Sequence, residues 1–545
     1  MTPKRPRGLL LTILLSWMVV FPIALVVVGA VRGDAGWTLE YVATFARESR
    51  EWGALWNSIW ISVASVLLAG SIGVPLAFVF ERLEFPGRRL PGALVALPAV
   101  LPPLVGVIAF MFLYGESGFV AHALRAVLNL DGDPWRLRGW GAILLVHAYS
   151  MYVYFYLFAR AGLAKVDSSM IEAAHSLGHD KWGTLRRVTL PLLWPQIGAA
   201  ALLTFMTALG SFSAPYVFGG GFRVMTTQIV ASKLNGDLAM SLVETSALAC
   251  VALAGLVLFR RTQTQRSVAA VGKGIPPAAH SLSMPLARWG AAVVGWGFAV
   301  LLLLPHLTLL VVSFVPVGTW TTQAIPPEYT LANYGTLVSD PVRLRPLLNS
   351  LWMAGAATIA AVTLALWVGR TVVQRRARLR NVIETLTTVP WAVPGTVLAI
   401  ALATAFSVRA PWFGRWVLVG TAVILPLAYM IRNIPIVCGS VVAGFKQLDP
   451  SLDEAAASLG SSRWRTIRRI TVPLLRPAIL AGGALAFATA LGDFVTSVVL
   501  YTYDTRPISI EILSALREFD IGVAAAYGVV LMSISAVAMA VGTKR

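Results

Sequence analysis

Twelve stretches of this chain are apolar for long enough to cross a lipid bilayer, and they set the fold class before any motif is considered. A bilayer core takes about 20 helical residues. The stretches run roughly 8–31, 55–80, 92–113, 139–160, 195–218 and 238–260, then 289–316, 346–369, 382–406, 413–437, 477–500 and 521–541. None alternates in the ten-residue rhythm of a membrane β-barrel. Only 13% of the 545 residues are charged, about half the share of a soluble domain. The expected fold is all-α and polytopic. Lys4, Arg5 and Arg7 precede the first stretch as in a secretory signal, but the run is too long for one and is expected to be retained.

A formal net charge of +19 raises the question of a nucleic-acid partner. With the N-terminus placed in the cytoplasm, the cytoplasmic segments hold 29 Lys/Arg against 9 Asp/Glu, and the external ones 14 against 15. The excess is one-sided, which is the positive-inside pattern. Basicity therefore sets orientation and meets anionic lipid, with no nucleic acid required. Both termini are expected in the cytoplasm. Cys250 and Cys438 lie in apolar spans and read as small core residues.

The chain also repeats itself. At an offset of 282, Glu172 falls on Glu454, Gly178 on Gly460, Trp182 on Trp464, Arg186 and Arg187 on Arg468 and Arg469, and Pro191 and Pro195 on Pro473 and Pro477. Upstream the offset is 292: Asn57-Ser58 meets Asn349-Ser350, Pro98 meets Pro390, and Pro102 meets Pro394. A shorter external loop (407–412 against 113–138) accounts for the difference. The chain thus reads as two parallel six-helix repeats, 1–260 and 287–545, joined by a polar cytoplasmic linker at 261–286. Parallel repeats in transporters are related by an axis along the membrane normal.

Within each repeat a polar insert interrupts the apolar pattern between the fourth and fifth spans: "IEAAHSLGHDKWGTLRRVTLPLLWP" and "DEAAASLGSSRWRTIRRITVPLLRP". Asp449 suits an N-cap, Pro450 a first helical position and Gly460 a left-handed close; Asp167 and Gly178 mark the same ends in the first copy. That predicts helices of about ten residues, roughly 15 Å long. Met170, Ile171, Ala174 and Leu177 make an apolar stripe, and the Ala pairs keep one face thin. One such helix reads equally as an amphipathic helix on lipid headgroups. Two at equivalent positions suit docking into a groove on a partner.

The insert resembles the E-A-A-x-x-x-G motif of binding-protein-dependent ABC importer permeases of the type I fold. The resemblance covers nearly the whole chain and implies a bacterial inner-membrane protein whose inserts are coupling helices seated in two ATP-binding subunits. Glu172, Ala173, Ala174 and Gly178, with Glu454, Ala455, Ala456 and Gly460, would be the docking residues. His175 departs, where the second copy has Ala457. A periplasmic solute-binding protein would deliver the solute. Nothing here reads G-x-x-x-x-G-K-[ST], so ATP and Mg belong to the separate ATPase and this chain is expected to carry no cofactor and no catalytic residue. Fusion of both halves resembles the ferric-iron and thiamine branches.

For the route, charges at membrane depth are costly and tend to mark function. Asp493 and Arg432 qualify, with Ser211 and Ser150 as their repeat partners. They read as lining or gating the pathway, as a structural ion pair, or, for Arg432, as a residue at the cytoplasmic edge of its helix. Glu244 reads as solvated at an external helix end. Prolines in "LPAVLPPLVGV" and "VPWAVPGTVLAI" read as packing kinks or as a gate. Tyr216, Tyr501 and Tyr503 read as interfacial aromatics. Ferric iron is the favoured solute, with thiamine, polyamines and phosphonates as alternatives. Iron(III) wants oxygen ligands, and the spans offer one clear carboxylate and no His/Cys cluster, so no resident metal is expected. An independent membrane enzyme lacks its constellation: His175 and His179 are four apart but form no H-E-x-x-H. A secondary transporter would carry more ionisable groups at the midplane.

Overall fold

The computed structural model describes residues 5–33, 36–100, 102–264, 280–281, 284–320, 323, 325–374, 377–407, 417–449 and 451–543. Most of the linker, the loop at 408–416 and Pro450 lie outside the described residues. Among those described, eleven helices are long and apolar enough to cross a membrane: Gly8–Ala30, Ser49–Arg82, Pro103–Leu128, Trp140–Leu163, Lys181–Leu209, Leu238–Leu258, Pro285–Val312, Pro341–Val373, Ile424–Gln447, Trp464–Leu491 and Ile521–Gly542. A twelfth, the ninth in chain order, is the pair Leu379–Ala392 and Gly395–Phe406, bent by 107°. The two-times-six reading therefore stands, and the spans are counted below in chain order from one to twelve.

Several boundaries differ from the sequence reading, each for a physical reason. The third span does not run through 92–113. Its chain forms a helix at Arg89–Leu94, a tight turn at Leu97–Val100, and restarts at Pro103, because Pro98, Pro102 and Pro103 supply no amide hydrogen to carry a helix across. Pro390 and Pro394 bend the ninth span at the matching place. The fifth and eleventh spans start inside the inserts, at Lys181 and Trp464. They pass Pro191 and Pro473 through wider π-helical turns at Leu185–Thr189 and Ile467–Thr471. Such a turn relieves the clash of a proline ring with the carbonyl four residues back. They end at Leu209 and Leu491 instead of reaching 218 and 500. The tenth span begins at Ile424 and runs to Gln447 instead of covering 413–437.

The repeat is visible in the packing. The second span lies on the fourth and fifth, and the eighth on the tenth and eleventh. Asn57 donates to the Arg223 carbonyl (2.9 Å) and Ser58 accepts from the Met225 amide (2.7 Å). Asn349 donates to the Asp504 carbonyl (2.9 Å) and Ser350 accepts from the Ile508 amide (2.8 Å). The repeated Asn-Ser pair thus pins the segment that follows the fifth and the eleventh span, on the face opposite the inserts, called here the far face.

Candidate functional site

Each insert folds as its caps dictate. Asp167 accepts from the Ser169 amide (3.0 Å) and opens Ser168–Ser176. Asp449 accepts from the Ser451 amide (2.9 Å) and opens Ser451–Ser458. That bond from the Ser451 amide holds the Asp449 carboxyl below the usual carboxylate range. Both helices close on a glycine with positive φ, Gly178 at 83° and Gly460 at 72°. Beyond it, the His179 amide reaches back to the Ala174 carbonyl (3.0 Å) and the Ser461 amide to Ala456 (2.9 Å), the bond pattern of a left-handed helix close. The helices are slightly shorter than expected, at nine and eight residues.

Their surfaces match position for position. Ala174 and Ala456 are buried, whereas Glu172, Ala173, Gly178, Glu454, Ala455 and Gly460 are exposed. The expected apolar stripe packs onto the protein only in part: Ala174 is buried and Ile171 is half-buried against the core, but Leu177 and its counterpart Leu459 are 80% and 87% exposed. Trp182 and Trp464 also stand clear of the bundle. These are large apolar groups left uncovered on two equivalent helices. His175 turns back on its own insert, its Nδ1 3.0 Å from the His179 carbonyl.

A continuous helix runs from each insert to the centre of the molecule. The fifth span, 29 residues from Lys181 to Leu209, ends at Gly210, where a Cβ would lie 3.5 Å from Pro394 of the second half. The eleventh ends at Gly492, where a Cβ would lie 2.4 Å from Pro102 of the first half. Each half's broken fifth helix thus meets the other half's proline break. Two residues further along, Phe212 and Phe494 face each other with ring centroids 5.6 Å apart. Tyr216 stacks on Phe212 at 5.1 Å. It is therefore a seam residue and not an interfacial aromatic. Arg517 donates to the Tyr216 hydroxyl, and Lys233 donates to the Val499 carbonyl across the halves (3.1 Å). The far-face side of the seam is closed.

The four pathway candidates sort by half. Asp493 and Arg432 are joined by an ion pair of 2.7 Å, and Arg432 lies well inside its helix, not at the edge. Asp493 also accepts from the Thr496 amide (2.8 Å), in the first turn of Val495–Leu500. The Asp493 carbonyl accepts from Ser497 (2.5 Å) and Ser509 (2.9 Å), and Ser497 meets Tyr429 (2.6 Å). In the first half Ser211 bonds His147 (2.9 Å), whose other nitrogen meets Ser65 (2.8 Å). Ser150 bonds back to its own helix at Val146 (2.8 Å). Sequence reasoning missed His147 and Tyr429, although the 282 offset superposes them.

Two expectations are overturned. Glu244 is not solvated: it is fully buried, accepts from Ser232 (2.7 Å) and lies beside the buried Glu51. A helix end in a membrane protein is not always a wet one. Cys250 is exposed, so only Cys438 is a core residue. Among the described residues no group of three or more His, Cys, Asp or Glu is placed to hold a metal.

The model of the family "Binding-protein-dependent transport system inner membrane component" matches this chain twice, at residues 73–265 and 361–543. A probable ABC transporter permease protein, y4fN of Sinorhizobium fredii (strain NBRC 101917 / NGR234), is 30% identical over 92% of this chain and 88% of its own length. The ferric transport system permease protein FbpB of Actinobacillus pleuropneumoniae is 26% identical over 97% of this chain and 76% of its own. The thiamine transport system permease protein ThiP of Escherichia coli (strain K12) is 25% identical over 88% and 86%. Two family matches on one polypeptide, over the two repeats just described, leave one conclusion: this chain belongs to the binding-protein-dependent transport system inner membrane components, as a multi-pass ABC importer permease.

Proposed function

We propose that the chain is the membrane subunit of an ATP-driven importer for ferric iron, handed over by a solute-binding protein at the far face. Two copies of an ATP-binding subunit grip the two inserts at the cytoplasmic face. The observation that carries this reading is the pair of capped, equally exposed helices, each followed directly by a helix that ends at the seam. A helix of 29 residues is about 43 Å long and transmits a displacement of its insert to Gly210 or Gly492. Closing of the ATPases on ATP then draws the inserts together and parts Phe212 from Phe494, which opens the far face to the delivered solute. Hydrolysis restores the closed seam. Nothing in the chain's own residues performs chemistry; ATP and Mg are held by the partner.

Likeness to ferric permeases over nearly the full length supports iron. Thiamine, polyamines and phosphonates are the alternatives within the same mechanism, and a secondary transporter is the more distant one. The test is ATP turnover by the reconstituted permease–ATPase complex as loaded binding proteins are added, with Glu172→Arg/Glu454→Arg as control. Stimulation by a ferric-loaded protein that the double variant loses supports coupling and solute together. Stimulation only by another loaded protein removes iron and keeps the importer. Transport by the double variant without any ATPase removes both.

A further inference from the structure

Arg432 does more than neutralise Asp493. A membrane-depth arginine that serves only as a counter-ion is expected to spend its donors on its partner and be buried with it. Here only one guanidinium nitrogen is engaged: NH1 donates to Asp493 (2.7 Å) and to Thr496 (3.2 Å). Nε and NH2 have no partner among the described residues, and 37% of the side chain is exposed while Asp493 is 4% exposed. The free edge therefore faces a space and not the protein.

That space lies on the seam. The guanidinium packs against Gly395, where a Cβ would sit 2.5 Å from NH1 and 3.2 Å from NH2. The preceding residue, Pro394, is the one that meets Gly210 of the other half. Gly395 also begins the twelve-residue helix Gly395–Phe406, whose first turn has no side-chain cap, so its leading amides are unsatisfied and point toward the same end. The hydroxyl of Thr396, in that first turn, is fully buried and has no partner. A cationic edge and an uncapped helix N-terminus meet at one place, and an orphaned hydroxyl lies in the same first turn.

The comparison between halves shows that holding the helix break does not require a charge. The first half holds the same break with neutral groups, Ser211, His147 and Ser65. Its positions matching Arg432 and Gly395 are Ser150 and Pro103. The charge is thus an addition in the second half alone.

We infer that Arg432 and the first turn of Gly395–Phe406 form a contact for an anionic, oxygen-bearing solute in the translocation route. Guanidinium edges and helix N-termini both favour such oxygens. This rests on the importer reading and sharpens it: a solute crossing here carries negative oxygens outward, so iron(III) passes as an anionic oxygen-ligated complex and not as a bare cation.

The test uses the full chain in discs of zwitterionic lipid, so that no lipid phosphate of net negative charge competes. Thermal unfolding midpoints are followed against sulfate, phosphate, citrate and ferric citrate, with sodium chloride at matched ionic strength. Binding to the folded state raises the midpoint with concentration. The expected result is a rise with at least one of the four probes beyond the chloride control. It is weakened about tenfold or more in Arg432→Gln/Asp493→Asn, which removes the pair without stranding a charge, and largely kept in Arg432→Lys. A stronger response to ferric citrate than to citrate identifies the metal complex as the preferred anion; equal responses identify the oxygens alone. No rise with any probe, or an equal rise in the Gln/Asn variant, overturns the inference. ATP turnover still stimulated by a loaded binding protein would then leave the importer reading intact. Anion binding without such stimulation would do the reverse.

Discussion

The two halves of this permease use the same backbone and different chemistry at its centre. The inserts are near copies, with cap, buried alanine and left-handed glycine at matching positions. The breaks at the ends of the fifth and eleventh spans are also alike in course, but one is held by Ser211 and His147 and the other by Asp493, Arg432 and Thr496. A surface that must meet two copies of one partner is constrained twice over by the same groove. A route through the middle is crossed once, by one solute, and need not be symmetric. On the proposed function, the matched inserts answer to the partner and the unlike centres to the solute.

The largest effect is expected from breaking what the halves share. Glu172→Arg or Glu454→Arg alone is expected to abolish most solute uptake, since both inserts must be held, and uptake by reconstituted vesicles checks it. Next comes the centre. Asp493→Ala strips the partly exposed Arg432 of its partner and the Thr496 amide of its acceptor, and each lost bond to a charged group costs about 1.5–3 kcal/mol. Ser211→Ala removes a neutral contact worth about 1–3 kcal/mol. Unfolding midpoints in denaturant should rank them in that order, and equal losses would erase the contrast.

The glycines offer a finer comparison. At Gly492 a Cβ would lie 2.4 Å from Pro102, whereas at Gly210 the nearest atom of the other half is 3.5 Å away. Gly492→Ala is expected to hold the seam apart and raise ATP turnover without solute, and Gly210→Ala to leave it close to the parent value. The smallest effect is in pH. Burial brings the Lys233 ammonium down to about 8, and opening the far face would return it to the usual lysine range near 10.4. The closed state therefore binds fewer protons between those values and gains stability as pH rises from about 8. Opening should be slightly easier at pH 7 than at pH 10, and Lys233→Met should remove the dependence.

Much of this architecture is legible in the residues. Span count, duplication and insert caps follow from hydropathy, self-comparison and the chemistry of Asp and Gly. The breaks are harder. Pro102 and Pro394 mark them, but a proline alone does not say whether a helix bends or stops. What decides is the partner across the seam, Gly492 or Gly210, some hundreds of residues away. Hydropathy also placed the fifth span over 195–218, because apolar residues continue past Gly210 whether or not the helix does. Glu244 was beyond reach for a similar reason: its burial depends on Ser232 and Glu51, on two other elements. His147 was visible only as a counterpart of Tyr429, and polar residues of different type hide a shared role.

The central claim is that the inserts move the seam through the fifth and eleventh spans. The direct test is a distance between spin labels at Leu234→Cys and Phe519→Cys, both exposed on the far face, in a chain with Cys250 and Cys438 replaced and its ATPase bound. The account predicts that ATP lengthens this distance in the parent and leaves it unchanged in Glu172→Arg/Glu454→Arg. Lengthening in both, or in neither while ATP is being turned over, would contradict it.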